Sequence, residues 1–216
     1  MILYYSPLSN YCSKVKFLID YKNIKVSLTP PPGGYGSDIF KKISPLGSIP
    51  TLKNKKIILS ESEIINEYLN ELYPEPAMLT NDIELNAKIR VISRFHDTKL
   101  EPSIRFFFKF KKKTKYSYNE VIKGFKNVEN QMIILDNIIN NSKYIATDDI
   151  TLADCSFPSW FALFNIFCDH FKYEISLKGK LKNYYNNLLK NKFMKDQYYS
   201  YYQIAIKWSK ESLLQI

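Results

Sequence analysis

Ser9 and Cys12 are spaced for thiol chemistry at the start of a predicted helix. They lie in Ser-Asn-Tyr-Cys, between an apolar run at 2–5 and a helical pattern at 10–21. Free N–H groups and the positive dipole end at a helix start favour an anion, and a serine hydroxyl there can donate to a thiolate. Serine is also a preferred helix cap, and a first-turn cysteine can be reactive or merely a buried apolar residue. For each of the two residues, the functional and the structural interpretation both stay open.

A second set of polar groups lies before a predicted strand and at the start of another helix. Ile49-Pro50 precedes the strand, and X-Pro is the setting in which a cis peptide is least costly. Glu61 and Ser62 open the helix, where a carboxylate can hold an ammonium group and the serine can hold a carboxylate. A trans proline that starts a strand and an acidic helix cap are the structural alternatives.

The elements that must position these residues alternate in the first third of the chain. Apolar patterning predicts strands over 2–5, 25–29, 51–53 and 56–59, and helices over 10–21, 38–43 and 62–72. One parallel crossover followed by a hairpin at Asn54-Lys55 predicts a mixed sheet with helices on its faces. The rest of the pattern is helical, over 82–112, 119–140, 151–171, 177–191 and 198–212.

Tyr73-Pro74-Glu75-Pro76-Ala77 separates the two patterns, because two prolines stop a helix and favour an extended link. We therefore expect an α/β domain over 1–75, a linker over 76–81 and an all-helical domain over 82–216. The helix predicted over 82–112 is long enough to bend or to break, for which Pro102 is the candidate position.

Four motifs in a fixed order carry a resemblance to a known family. They are Ser6–Val15, Ser44–Leu52, Leu59–Ile65 and Ile150–Asp154, the last with a capping box between Thr151 and Asp154. In this order the chain resembles the cytosolic glutathione transferase family, in its serine-type branch and of bacterial type, along essentially its whole length. The resemblance implies a thioredoxin-like α/β domain followed by an all-α domain, a homodimer, and glutathione as co-substrate.

The same resemblance implies roles for individual residues. Ser9 is the catalytic residue that donates to the glutathione thiolate, and lowering a thiol pKa by two units requires about 2.7 kcal/mol. Pro50 is cis, so that the backbone of Ile49 pairs with the cysteinyl part of glutathione as an added β-strand would. Glu61 takes the α-ammonium of the γ-glutamyl group, and Ser62 takes its α-carboxylate.

The chain departs from the family pattern at Ser48, where a basic residue often precedes the Ile-Pro pair. Lys41 and Lys42 are therefore the candidates for holding the glycine carboxylate of glutathione. The electrophile is expected in a cleft between the domains, walled by the segment 94–108. The aromatic residues of that segment could instead form core and dimer contacts.

The leading hypothesis is an enzyme that conjugates reduced glutathione to a small electrophile, in detoxification. One alternative is glutathione-dependent thiol–disulfide or dehalogenating chemistry through Cys12, which stands where a C-x-x-C motif has its second cysteine. Another is a non-catalytic binding protein, since the bacterial stringent starvation protein, an RNA polymerase partner, shares the fold and the capping motif. Fold alone does not decide between them.

Composition argues against several other classes of protein. The net charge is +10, but only 3 of the 31 basic residues are arginine, which argues against sequence-specific nucleic-acid recognition. The two histidines lack cysteine or acidic neighbours at metal-ligand spacing, and no apolar run reaches the roughly 18 residues of a membrane span. With three scattered cysteines, we expect a cytoplasmic protein without metal, membrane or specific nucleic-acid partner.

Overall fold

The computed structural model describes residues 1–110, 115 and 117–213. Its first part is a four-stranded mixed sheet, ordered β2-β1-β3-β4, in which β1 is parallel to β2 and antiparallel to β3. The elements are β1 (Ile2–Tyr4), α1 (Asn10–Tyr21), β2 (Ser27–Thr29), α2 (Asp38–Lys41), β3 (Thr51–Asn54), β4 (Ile57–Ser60) and α3 (Ser62–Leu72). The predicted crossover and mixed sheet are confirmed. The hairpin is present, but its turn residues are Lys55 and Lys56 rather than Asn54 and Lys55, because Asn54 pairs with Ile57.

The described part of the chain after α3 is helical. Its elements are α4 (Ile83–Phe95), a π-helical turn (His96–Leu100), α5 (Glu101–Arg105), a 3-10 turn (Phe106–Lys109), α6 (Tyr118–Ile138), a second 3-10 turn (Leu152–Ser156), α7 (Phe157–Phe171), α8 (Gly179–Lys190) and α9 (Lys192–Ser212). The predicted fold class, a thioredoxin-like α/β domain plus an all-α domain, is confirmed. The division into 1–75, 76–81 and 82–216 stays a prediction.

The helix predicted over 82–112 is broken, and the break begins before Pro102. The α-helical hydrogen bonding gives way to the π-helical turn at His96 and resumes at Glu101. Proline has no N–H to donate to the preceding turn, so regular α-helical bonding cannot run through Pro102. The predicted end, Lys112, lies outside the described residues.

Two other helices, α7 and α9, begin six residues from their predicted starts, whereas α6 and α8 begin within two residues of theirs. The capping box of Thr151 and Asp154 is present, but it opens a 3-10 turn, and α7 begins only at Phe157, next to Pro158. Proline suits the first turn of a helix because its missing N–H has no partner there in any case. The helix predicted to begin at Tyr198 begins at Lys192, because the Asn191 side chain accepts from Met194 N at 3.0 Å and caps it.

Phenylalanine rings fill the interior of the helical part. The ring of Phe107 lies 4.4 Å from that of Phe125, 5.2 Å from Phe167 and 5.6 Å from Phe171, measured between centroids. We call these four residues the phenylalanine core, and all four are fully buried. Since they come from the 3-10 turn after α5, from α6 and from α7, their packing joins these elements.

Candidate active site

A cavity of about 730 Å3 is formed by the turn before β3, the start of α3 and the end of α4 with its π-helical turn. The predicted binding residues Ile49, Pro50, Glu61 and Ser62 all lie on its wall. The complete lining is Tyr11, Ser48, Ile49, Pro50, Glu61, Ser62, Glu63, Ile64, Arg94 and Asp97. Folding therefore brings together residues from four separate segments of the chain.

The turn before β3 presents free backbone groups to this cavity. The Ile49-Pro50 peptide is cis, as the resemblance implies. Neither the N–H nor the C=O of Ile49 has a hydrogen-bond partner among the described residues, because pairing of β3 begins only at Thr51. An extended peptide could add to this edge through one donor and one acceptor.

The start of α3 presents donors to the same cavity. Glu61, the residue before the helix, has φ +72° and offers no side-chain cap. The first backbone bond of the helix runs from Ile65 N to Glu61 O at 3.0 Å. The N–H groups of Ser62, Glu63 and Ile64 have no partner within the described chain. Free donors at a helix start, together with the helix dipole, favour a bound anion such as a carboxylate.

Behind the cavity, a fully buried lysine joins three elements. Lys14 of α1 pairs through Nζ with Glu63 of α3 and with Asp97 Oδ2 of the π-helical turn, the latter at 2.8 Å. Ser93 Oγ donates to Glu63 Oε2 at 2.5 Å, and His96 Nδ1 lies 2.9 Å from Asp97 Oδ1. We call these five residues the Lys14 network.

Electrostatics hold Lys14 and Asp97 in their charged forms. Burial alone would lower the pKa of Lys14, but the charges of Asp97 and Glu63 outweigh it, and the pKa is raised. Burial would likewise raise the pKa of Asp97, but the hydrogen bond with His96 and the charge of Lys14 hold this pKa below its usual value. The ammonium and the Asp97 carboxylate therefore stay ionised at neutral pH.

Tyr11 forms a wall of the cavity, but its hydroxyl is already engaged. The hydroxyl is 2.9 Å from Glu101 Oε2 and 3.0 Å from the backbone oxygen of Asp97. Arg105 pairs with Glu101 and lies 5.5 Å from the centroid of the Tyr11 ring. Burial, and next the charge of Glu101, raise the pKa of Tyr11. This phenol is thus committed to protein acceptors and is a poor donor to a ligand thiolate.

Ser9 and Cys12 occupy the predicted positions on α1, although neither is among the residues that line the cavity. Ser9 is the N-cap, and its Oγ accepts from Cys12 N at 3.3 Å. Its hydroxyl hydrogen has no acceptor in the described residues and remains free to donate. Cys12 is fully buried, with Ser6 N at 3.5 Å from Sγ. Burial raises the pKa of Cys12 to about 11, so the thiol is protonated at neutral pH.

Other candidates from the sequence lie elsewhere. Lys41 and Lys42 are exposed and do not line the cavity, and of the segment 94–108 only Arg94 and Asp97 do. Sequence reasoning missed Lys14. The sequence did contain a signal for it. Lys14 precedes the buried Leu18 by four residues and therefore lies on the same, buried face of α1, where an apolar residue is expected.

Within residues 1–110, 115 and 117–213, no group of three or more histidine, cysteine, aspartate and glutamate side chains is placed to hold a metal ion. No helix in these ranges combines the length and the apolar character required to span a bilayer.

Comparison with known proteins agrees with this geometry. Residues 3–77 match the family described as glutathione S-transferase, N-terminal domain. The stringent starvation protein A homolog of Coxiella burnetii is 25% identical over 155 residues, 72% of this chain and 71% of that protein. Glutathione S-transferase Z2 of Arabidopsis thaliana is 29% identical over 158 residues, 69% of this chain and 68% of that protein.

Solved structures agree on the fold along nearly the whole chain. A delta-class glutathione transferase of Nilaparvata lugens superposes with a TM-score of 0.78 at 20% identity, covering 97% of this chain and 98% of that one. At this identity the likeness shows the fold alone. Residues 3–77 thus match the glutathione S-transferase N-terminal domain, and the chain as a whole is similar in fold to glutathione transferases.

Proposed function

We propose that the cavity binds reduced glutathione and that the protein joins the glutathione sulfur to a small electrophile. The observation that carries this proposal is the free backbone of Ile49 beside the uncapped start of α3. A γ-glutamyl tripeptide has an extended backbone for the first and an α-carboxylate for the second. Glu61, exposed at the same helix start, then takes the α-ammonium group.

Ser9 is the residue that we propose as donor to the thiolate. Its hydroxyl hydrogen is free, and the start of α1 places a positive dipole end beside it. The thiol loses its proton to solvent, the thiolate forms a carbon–sulfur bond with the electrophile, and the leaving group departs with its electron pair. The protein binds and stabilises the thiolate, so no metal is required.

A non-catalytic binding protein is the second candidate function. Ser9 does not line the cavity, and relatives that match this chain include stringent starvation protein A homologs. Such a protein would keep the fold and would lack transfer to any electrophile. Chemistry through Cys12 is the weaker alternative, because burial keeps this thiol protonated and out of contact with the cavity.

We also propose that the chain forms a two-fold homodimer through α3 and α4. Both helices expose apolar side chains, namely Ile64, Leu72, Ile83 and Val91, which a second copy would cover. Light scattering is expected to give twice the mass of 25.4 kDa at micromolar concentration. A monomer mass would refute the dimer without affecting the glutathione site. We propose that this dimer acts in detoxification in the cytoplasm.

Titration calorimetry with reduced glutathione tests the proposed function. Saturable binding is expected with a Kd at or below about 1 mM, which corresponds to about −4 kcal/mol. Glu61→Ala should weaken binding about tenfold, the loss of one charge-assisted contact. Glu71→Ala removes the same charge from the far end of α3 and is the matched control. No heat from wild type at millimolar ligand would refute the glutathione site.

A further inference from the structure

We propose that Lys14 is a positioning residue of the cavity, although it does not line it. Its buried ammonium sets the spacing between the start of α3 and the π-helical turn after α4. This inference rests on the proposed function in one respect, because the affinity for glutathione is one of its two readouts.

The contacts of Lys14 reach both walls of the cavity at once. Glu63 is the second residue of α3, next to Ser62, and Asp97 is the second residue of the π-helical turn. Both carboxylates line the cavity and both pair with the same Nζ. Any movement of this ammonium therefore moves the free N–H groups of α3 relative to the opposite wall.

The charge balance explains why the spacing depends on Lys14. One ammonium faces two carboxylates, and the other groups in contact are Ser93 Oγ on Glu63 and His96 Nδ1 on Asp97. Lys14 is fully buried and the two carboxylates are only partly exposed, so the pairs are weakly screened by solvent. Removing one partner of a buried pair leaves an uncompensated charge, here two of like sign that repel each other. We expect the start of α3 and the π-helical turn to separate.

Lys22 provides a matched control within the same chain. It is the other buried lysine among the described residues. Its Nζ donates to the backbone oxygens of Tyr73 at 2.8 Å, Pro74 at 3.4 Å and Pro76 at 2.5 Å. None of these residues lines the cavity. Loss of Lys22 should therefore destabilise the fold without displacing α3 at the cavity.

The experiment compares Lys14→Met with Lys22→Met at a temperature at which both are folded. Both should lower Tm. Only Lys14→Met should raise the Kd for reduced glutathione, by about tenfold or more. Amide hydrogen exchange at Ile65, the first hydrogen-bonded amide of α3, should also become faster in this variant alone. Adding Glu63→Gln to Lys14→Met removes one of the two like charges and should restore part of the affinity.

Each outcome separates the two proposals. If wild type binds glutathione and Lys14→Met binds within twofold of it, the positioning role is wrong. If Lys22→Met weakens binding as much, the effect is general destabilisation, and the role is again wrong. If wild type does not bind glutathione, the proposed function fails. Hydrogen exchange at the start of α3 then still tests whether Lys14 holds this helix in place. If Lys14→Met does not fold, two other variants are used. Lys14→Arg keeps the charge, and Glu63→Gln removes one partner of the ammonium. The inference would be overturned if both variants bound glutathione with the wild-type Kd.

Discussion

The phenylalanine core and the Lys14 network are both interior, but they are stabilised by opposite means. The core consists of hydrocarbon rings, which require matching volume and tolerate changes of angle. The network consists of charged and polar groups that require defined partners. Within it, Glu63 Oε1 and His96 Nε2 are buried and have no hydrogen-bond partner among the described residues. The core therefore accounts for the assembly of the helices, whereas the network accounts for their exact positions at the cavity.

Truncation of the phenylalanine core should have the largest effect on stability and none on the site. Phe107→Ala removes a fully buried ring with three close neighbours. We expect a loss of about 3–5 kcal/mol in the free energy of unfolding, measured by urea titration. The Kd for glutathione of the folded variant should stay within twofold of wild type. A large rise in Kd would show that the core also positions the cavity.

Loss of the Ser9 hydroxyl should affect chemistry more than stability. Ser9→Ala should slow transfer to a model electrophile by on the order of a hundredfold, or about 3 kcal/mol, and should raise the pKa of the bound thiol. Ser37→Ala is the matched control, because Ser37 caps α2 in the same way through Phe40 N. Both variants should lose about 1 kcal/mol of stability. Undiminished transfer by Ser9→Ala, with an unmoved thiol pKa, would remove Ser9 from the mechanism.

Changes at Cys12 should have the smallest effect. Burial raises the pKa of Cys12 to about 11 in the folded protein, so the same thiol has a lower pKa in the unfolded chain. Its contribution to stability is therefore complete below about pH 8.5, the ordinary thiol value, and is lost as the pH rises toward 11. Iodoacetamide at pH 7.5 should leave Cys12 unmodified in the folded protein, and Cys12→Ala should keep transfer within twofold. Lost activity, with a mixed disulfide in the wild-type mass spectrum, would instead support the thiol–disulfide alternative.

Local features of the chain were predictable because their bonds close within a few residues. The bounds of α1 and α3 agree with the pattern, and Ser9 caps its helix through a residue three positions away. The capping box of Thr151 and Asp154 is equally local. Such contacts depend on side-chain type and spacing, which the sequence states directly.

Long-range contacts were decided by the tertiary structure alone. Lys14 meets Glu63 and Asp97 at separations of 49 and 83 residues, and Tyr11 meets Glu101 at a separation of 90. Nothing in the pattern around a lysine states which carboxylate will lie beside it once the helices pack. The sequence by itself therefore predicted the fold class, the helices α1 and α3, the caps at Ser9 and Thr151, and the resemblance to the family. Packing of α1, α3 and α4 decided which residues line the cavity and which hold it in place, because burial and ion pairing arise only when distant segments meet.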